Sequence, residues 1–278
     1  MAKRLLLLLF SLIMGGTLAV LSGACAQVAS PTATKADVGA SAEVKFANPD
    51  LLVETSWVAE HLNDSNLRIV DVRPADKYKE GHVPNSVSLP SDKPTDAIYD
   101  QTNPVKWIIL PQDKAETLFG ELGIGNDTRV VILDDARGLW AARLFWMLEY
   151  YGHKKVSVLN GGIKAWEKES RELTKNTPQV VKATFKATPQ HDRLATKDQV
   201  LSKLGRDDVV ILATIPKDEF EGGNAKSAKR GGHIPGAKQM DWTENLAGGD
   251  VSVLKMAADL KVQYEQAGIT KDKEIIVY

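Results

Sequence analysis

The chain has 278 residues, a length that fits one large domain or two small ones. Its composition, 43% hydrophobic and 26% charged, is that of a globular protein and excludes a largely disordered chain or one with many membrane spans. The formal net charge is −1, so the protein has no general field that would attract nucleic acid. Its single cysteine, Cys25, excludes an internal disulfide framework and a multi-cysteine zinc site.

The N-terminal segment has the order of a secretory signal: a basic start, an apolar run over residues 5–20, and small residues after it. We predict a signal peptide over residues 1–26 with cleavage after Ala26, and an exported, periplasmic or envelope-associated protein. Cys25 also resembles a lipoprotein acceptor; its loss with the signal is the preferred interpretation, and lipid anchoring is the alternative. Residues 27–47, rich in Ala, Ser, Thr and Pro, are predicted to be a flexible linker. No membrane span is expected after cleavage.

Two copies of one unit follow along the chain. The motif Gly-His-Val-Pro at 81–84 recurs as Gly-His-Ile-Pro at 232–235, with a hydrophobic run before each copy and a Gly-Ile pair after it. We predict a first domain over 48–175, an interdomain linker over 176–190 and a second domain over 191–278.

Each unit is predicted to be α/β. Short hydrophobic runs rich in β-branched residues at 69–72, 130–133 and 156–159 are typical of buried parallel strands. Segments with helical spacing lie at 57–62, 115–122, 141–151 and 163–168. Thr55 or Ser56 is expected to cap the first helix, and Gly123 and Gly152 are expected to end two others. Strands that alternate with helices predict a parallel sheet flanked by helices.

Asp71-Val-Arg73, the motif at 81–84 and the Asn160-Gly-Gly-x-x-x-Trp166 segment together resemble the rhodanese family. The likeness extends over nearly all of 50–278, and the duplication resembles the tandem-domain thiosulfate and 3-mercaptopyruvate sulfurtransferases. The resemblance implies two rhodanese-like domains and a sulfurtransferase. In its reaction a cysteine thiolate would take sulfane sulfur from a small anionic donor as a persulfide and pass it to a thiophilic acceptor. No residue pattern calls for a metal or an organic cofactor.

The resemblance places the nucleophile in a tight loop after a central strand, where backbone N–H groups and a helix N-terminus lower the thiol pKa. When the first unit is aligned by its strand, Asp134 stands at the nucleophile position. When it is aligned by Gly138, Asp135 stands there. A carboxylate cannot carry sulfane sulfur, so the first domain is of the inactive type. Asp135 is expected to cap the helix that begins near Leu139.

In the second unit the nucleophile is expected directly after Tyr278, and residues 26–278 contain no cysteine. We therefore expect an incomplete second domain, no catalytic residue in this chain and no turnover by it, with the chain being a truncated copy of a longer enzyme. The alternative is a non-catalytic exported binding protein built from degenerate rhodanese domains. A phosphatase on the related fold is a third and weaker alternative, because it would need a Cys-x5-Arg loop.

Other residues of the second unit bear on the substrate. Ala213 and Ile215 stand where the first unit has Asp71 and Arg73, which argues against ordinary thiosulfate specificity. The basic residues of a Gly-rich loop are either a guide for an anionic substrate or a solvated loop; they are Lys226, Lys229 and Arg230. The two Gly-His turns contain His82 and His233, for which a structural hydrogen-bonding role is preferred over proton transfer.

Overall fold

The computed structural model describes residues 44–226 and 229–278. The predicted signal peptide, Cys25 and most of the predicted N-terminal linker lie outside these residues, and residues 44–47 of that linker are exposed. No helix in the described part of the chain is both long and apolar enough to cross a membrane.

Within residues 44–226 the first sheet has five parallel strands, as the α/β prediction requires. These are β1 (Leu52–Val53), β2 (Leu67–Asp71), β3 (Ser86–Ser88), β4 (Arg129–Leu133) and β5 (Val156–Leu159). The helices around them are α1 (Thr55–His61), α2 (Ala75–Glu80), α3 (Pro94–Ile98), α4 (Gln112–Glu121), α5 (Leu139–Tyr150) and α6 (Gly162–Lys168). The strand order is β1-β5-β4-β2-β3, so β4 lies at the centre of the sheet.

Both faces of the first sheet are covered by helices. One hydrophobic cluster lies between the sheet and helices α4 and α5, with Phe119 and Leu144 fully buried. The other lies against α1 and α6 and contains Val58 and Trp166. Because β2, β4 and β5 are buried on both faces, they read as continuous hydrophobic runs, and this is why the sequence alone located these three strands.

The segment predicted as an interdomain linker packs against the first domain. Residues 181–187, which we call the strap, run along α4, where the Ala183 N–H donates to the Gly120 carbonyl at 3.0 Å. Phe185 is buried edge-to-face on Phe119, with ring centroids 4.9 Å apart. A Cβ on Gly120 would lie 2.6 Å from the Ala183 carbonyl oxygen, so this close approach requires glycine. The domain boundaries stay predictions, but the strap belongs to the hydrophobic core of the first domain.

The described part of residues 191–278 contains a second parallel sheet of three strands. Its strands are β6 (Val209–Ala213), β7 (Lys238–Gln239) and β8 (Glu274–Val277), in the order β7-β6-β8. Its helices are α7 (Lys197–Lys203), α8 (Lys217–Phe220) and α9 (Ala257–Gln266). Strand β8 leaves Ile275 and Val277 41% and 58% exposed, so this sheet is less covered than the first.

The predicted helix ends are partly confirmed. Helix α4 ends just before Gly123 and α5 just before Gly152, and both glycines have a positive φ, as expected at helix C-termini. The predicted cap of α1 is wrong, because Thr55 is already the first helical residue. Its hydroxyl instead donates to the Glu169 carboxylate at 2.6 Å, which joins α1 to the end of α6.

Candidate functional site

The carboxyl edges of the two sheets have matching hydrogen bonds. In the first domain the Val72 N–H donates to the Leu133 carbonyl at 2.9 Å. In the second domain the Thr214 N–H donates to the Tyr278 carbonyl, also at 2.9 Å. Tyr278 is therefore the counterpart of Leu133.

The loop after β4 converges on the Asp134 carboxylate. One carboxylate oxygen accepts hydrogen bonds from the N–H groups of Ala136 at 3.1 Å and Gly138 at 2.8 Å. The other accepts from Trp140 at 2.9 Å and Ala141 at 3.1 Å, at the start of α5. Burial raises the pKa of the Asp134 carboxyl, and the four N–H donors act against this shift. The loop is thus an anion cradle that the chain's own carboxylate occupies.

The capping role predicted for Asp135 is wrong. The carboxylate inside the loop belongs to Asp134, which is 1% exposed, whereas Asp135 is half-buried. Alignment by the strand therefore identifies the position, and alignment by Gly138 does not. The backbone of Asp134 is fixed as well: the Ile163 N–H donates to its carbonyl at 3.0 Å, and a Cβ on Gly162 would lie 2.2 Å from that oxygen.

A buried ion pair stabilises the carboxyl end of β2. Arg73 Nη2 lies 2.7 Å from Asp71 Oδ2, and Arg73 Nε lies 3.0 Å from Asp71 Oδ1. The same Nη2 donates to the Gly81 carbonyl at 2.8 Å, so the pair also holds the turn that contains His82. The two side chains are 0% and 6% exposed, so these hydrogen bonds are shielded from water.

The two Gly-His turns are held by the same aromatic contact. The His82 ring stacks on Tyr78 at 3.7 Å between centroids, and its Nδ1 donates to the Tyr78 carbonyl at 2.9 Å. The His233 ring stacks on Phe220 at 3.6 Å, and its Nδ1 donates to the Phe220 carbonyl at 2.7 Å. These contacts support the structural interpretation of both histidines.

The predicted basic cluster is not a set of three free cations. Lys226 forms an ion pair with Glu219, whereas Lys229 and Arg230 are exposed. The Ile234 N–H, in the Gly-His turn that follows this cluster, donates to the Tyr278 hydroxyl at 3.0 Å. This turn therefore contacts the end of β8. A role of the cluster in substrate binding stays a prediction. No group of three or more His, Cys, Asp or Glu side chains suited to a metal lies in the described residues.

Sequence reasoning missed a cavity of about 300 Å³ between the carboxyl edge of the first sheet and residues 242–254 of the second domain. Residues 242–254 form one wall of this cavity. Asn160 binds that wall, because its side-chain oxygen accepts a hydrogen bond from the Leu254 N–H at 3.0 Å. A Cβ on Gly161 would lie 2.7 Å from a Val251 methyl carbon, so the wall also sits directly on this glycine. Residues so distant in sequence carry no local signal of the contact.

The comparisons with known proteins agree with this architecture. A family model described as a rhodanese-like domain matches residues 54–169. The sulfur carrier protein TtuD of Thermus thermophilus is 33% identical over 245 residues, which cover 84% of this chain and 83% of the relative. The thiosulfate sulfurtransferase of Azotobacter vinelandii is 33% identical over 234 residues, with the same two coverages. This chain belongs to the rhodanese family.

A solved structure extends the rhodanese assignment to both sheets. The crystal structure of SseA, a 3-mercaptopyruvate sulfotransferase from Escherichia coli, is similar with a TM-score of 0.72 and 27% sequence identity. The match covers 82% of this chain and 87% of that chain. The duplicated units of the sequence are therefore two rhodanese-like domains, of which the first has the Asp134 cradle.

Proposed function

We propose that this rhodanese-family protein serves sulfur transfer from thiosulfate or a related donor to a thiophilic acceptor, through a cysteine persulfide. The cysteine would stand at the position directly after Tyr278. The observation that supports this position is the pair of matching hydrogen bonds to the carbonyls of Leu133 and Tyr278, because Asp134 directly follows Leu133 in the first domain. The relatives named as sulfur carrier and sulfurtransferase support the general chemistry.

The reaction balances without a cofactor. The thiolate attacks the outer sulfur of thiosulfate, the S–S bond of the donor breaks, and sulfite leaves with the electron pair. A thiophile such as cyanide then attacks the outer sulfur of the persulfide, thiocyanate forms, and the thiolate is regenerated. Both the thiolate and the persulfide are anions that need stabilisation.

The first domain shows how the family loop provides that stabilisation. Four backbone N–H groups lie within 3.1 Å of one carboxylate in the Asp134 loop, at the N-terminus of α5. Fixed donors of this kind stabilise negative charge without reorganisation. In the first domain these four donors bind the Asp134 carboxylate, which has no sulfur to transfer. The first domain is therefore proposed to have no activity.

The test is thiocyanate production from thiosulfate and cyanide. The 278-residue chain should give no more thiocyanate than buffer, because residues 26–278 contain no cysteine. A Cys25→Ser variant is the matched control, since Cys25 is the only thiol of the chain. Turnover by the Cys25→Ser variant would place the chemistry elsewhere and contradict the proposal.

A second arm uses the reading frame beyond the Tyr278 codon. Any longer product should have a cysteine directly after Tyr278, should turn over thiosulfate, and should lose that activity when the cysteine is replaced by serine. A longer product without that cysteine, or with no turnover, favours the alternative of a non-catalytic binding protein. The filled Asp134 cradle and the apolar Ala213 and Ile215 are the observations that favour this alternative.

We also propose that the protein is exported, on the basis of its N-terminal segment. N-terminal sequencing of the protein from an envelope fraction should find Gln27 as the first residue. A lipid-modified Cys25 at the N-terminus would support the lipoprotein alternative, and an intact Met1 in the cytosolic fraction would contradict export.

A further inference from the structure

One loop of the first domain holds apolar side chains in water. Residues 104–108, which we call the tip, are all exposed. Within the tip, Val105 is 59% exposed, Trp107 55% and Ile108 37%. None of these residues lines the cavity between the domains. A single exposed hydrophobic residue is ordinary, but three of them so close together in one loop indicate a contact surface.

The loop below the tip is fixed by hydrogen bonds. Its two arms meet where the Asp100 N–H donates to the Ile108 carbonyl at 2.9 Å. The Asp100 carboxylate accepts from the Thr102 N–H at 3.0 Å. The Asn103 side-chain oxygen accepts from the Val105 N–H at 2.9 Å. The tip is therefore preformed, and a partner would not have to order it on binding.

Trp107 is held in an unfavourable backbone conformation. Its φ is +67°, which is rare for a bulky residue. Arg143 Nη2 donates to the Trp107 carbonyl at 3.1 Å, and the Tyr99 ring meets the indole edge-on with centroids 5.1 Å apart. These contacts hold Trp107 in place, yet more than half of its surface stays accessible to water. Strain that keeps an aromatic side chain exposed points to a contact outside the chain.

The charge of the tip suits the surface of a bilayer. Lys106 is its one charged residue and lies between Val105 and Trp107 in the chain. In the described part of the chain no carboxylate is within ion-pair distance of Lys106, because Asp100 at the base of the loop pairs with Lys114 at 3.7 Å. Tryptophan is enriched at the level of lipid headgroups, and a lysine chain can lie along apolar groups while its ammonium reaches a phosphate.

We propose that the tip docks on a lipid bilayer. Val105 and Trp107 would enter the boundary between headgroups and acyl chains, and Lys106 would lie at the lipid phosphates. A fluid bilayer takes up an exposed loop without a preformed hollow, whereas a protein partner would have to supply one. The proposed export of the chain would bring it to a membrane. The contact is reversible, because few side chains enter the bilayer.

The test is quenching of tryptophan fluorescence by phosphatidylcholine vesicles with lipids brominated near the top of the acyl chain. The 278-residue chain is used, because residues 1–43 contain no tryptophan and give no signal. Brominated vesicles should remove about one sixth of the emission relative to unbrominated ones, since Trp107 is one of six tryptophans. Trp107→Phe should lose this difference.

A matched pair of substitutions locates the contact. Val105→Asp puts a charge into the tip and should lower the ratio of docked to undocked chain about fivefold or more. Val181→Asp makes the same change at a valine of the strap that is 81% exposed, and it should leave quenching unchanged. Thermal unfolding without lipid checks the fold of each variant. If Val105→Asp does not fold, the Trp107→Phe comparison decides.

The role of Lys106 is tested by lipid charge. Lys106→Gln should lower the docked ratio about fivefold on vesicles that contain one quarter phosphatidylglycerol, because one cation near an anionic surface is lost. On pure phosphatidylcholine the same variant should match the wild type. An equal effect on both lipids would contradict the place of Lys106 at the phosphates.

Several results would overturn the proposal. These are no extra quenching by brominated vesicles, full quenching in Trp107→Phe, or equal losses in Val105→Asp and Val181→Asp. Self-association that Val105→Asp abolishes, seen by analytical ultracentrifugation without lipid, would assign the tip to a second copy instead. The thiocyanate assay contains no lipid, so failure of either proposal leaves the other intact.

Discussion

The two rhodanese-like domains have the same strand register but different polar networks at the carboxyl edge. In the first, Asp71 and Arg73 form a buried ion pair that holds the Gly81 turn. In the second, Ala213 and Ile215 occupy these positions, yet the backbone hydrogen bonds at the end of the sheet are the same. The ion pair is therefore not what sets the register; the hydrophobic strands do.

The Gly-His turns lead to the same conclusion. The stacked aromatic residue precedes the histidine by 4 positions in the first domain and by 13 in the second. The centroid distances nevertheless differ by only 0.1 Å, 3.7 Å against 3.6 Å. The stack anchors the turn, and the chain between its two members tolerates an insertion.

The largest expected effect comes from breaking the Asp71–Arg73 pair. Arg73→Ile leaves the Asp71 carboxylate buried and unpaired, so it should lower the free energy of unfolding by about 3–5 kcal/mol. The double variant Asp71→Ala/Arg73→Ile copies the second domain and should lose less than the single variant, because no charge stays buried. Urea unfolding measures both. A double variant less stable than the single one would show that the pair itself is strongly stabilising.

The next effect comes from emptying the anion cradle. Asp134→Ala leaves four backbone donors without their acceptor and should cost about 2–4 kcal/mol of unfolding free energy. The matched control, Asp135→Ala, removes a neighbouring carboxylate outside the cradle and should cost less than about 1 kcal/mol. Equal losses in urea unfolding would contradict the placement of Asp134.

A smaller effect should appear only in acid. His153 is 2% exposed, and burial lowers the pKa of its imidazole. As the pH drops below about 6.5, the unfolded chain therefore takes up a proton at this histidine more readily than the folded chain does, and stability falls. His153→Leu should make this fall shallower when urea unfolding is compared between pH 7.5 and 5. Replacement of the exposed His191 by Leu is the control, and an equally shallow fall there would contradict the role of His153.

The smallest effect concerns the aromatic residue of the stack. Tyr78 donates from its hydroxyl to the Ser86 carbonyl at 2.6 Å, whereas the second domain has Phe220 at this position. Tyr78→Phe should keep the stack and cost about 1 kcal/mol for the lost hydrogen bond. Thermal unfolding measures the loss. A cost above that of Arg73→Ile would mean that the turn depends on the hydroxyl and not on the ring.

Much of the fold could be predicted from the sequence. Continuous hydrophobic runs located β2, β4 and β5, and the repeated Gly-His turn revealed the duplication. The Asp71–Arg73 pair was also predictable, because two opposite charges two residues apart stand at the carboxyl end of a buried strand. These features depend on residues close together in the chain.

Contacts between distant residues could not be predicted. Arg137 meets Trp242, and Asn160 meets Leu254, only after both domains have folded. The choice between Asp134 and Asp135 likewise depended on which carboxylate the loop N–H groups face. The strap is an exception, because its sequence alternates apolar and polar residues with the period of an extended strand. Its apolar residues Phe185 and Ala187 are buried, and their immediate neighbours are exposed.

The strap decides how the first domain could be produced as an isolated recombinant fragment. A fragment that ends at residue 175 would lack the strap, so the side of α4 that contains Phe119 would be exposed to water. An exposed hydrophobic surface of this kind favours aggregation. A boundary at residue 190 keeps Phe185 on Phe119, so the hydrophobic cover of α4 is retained.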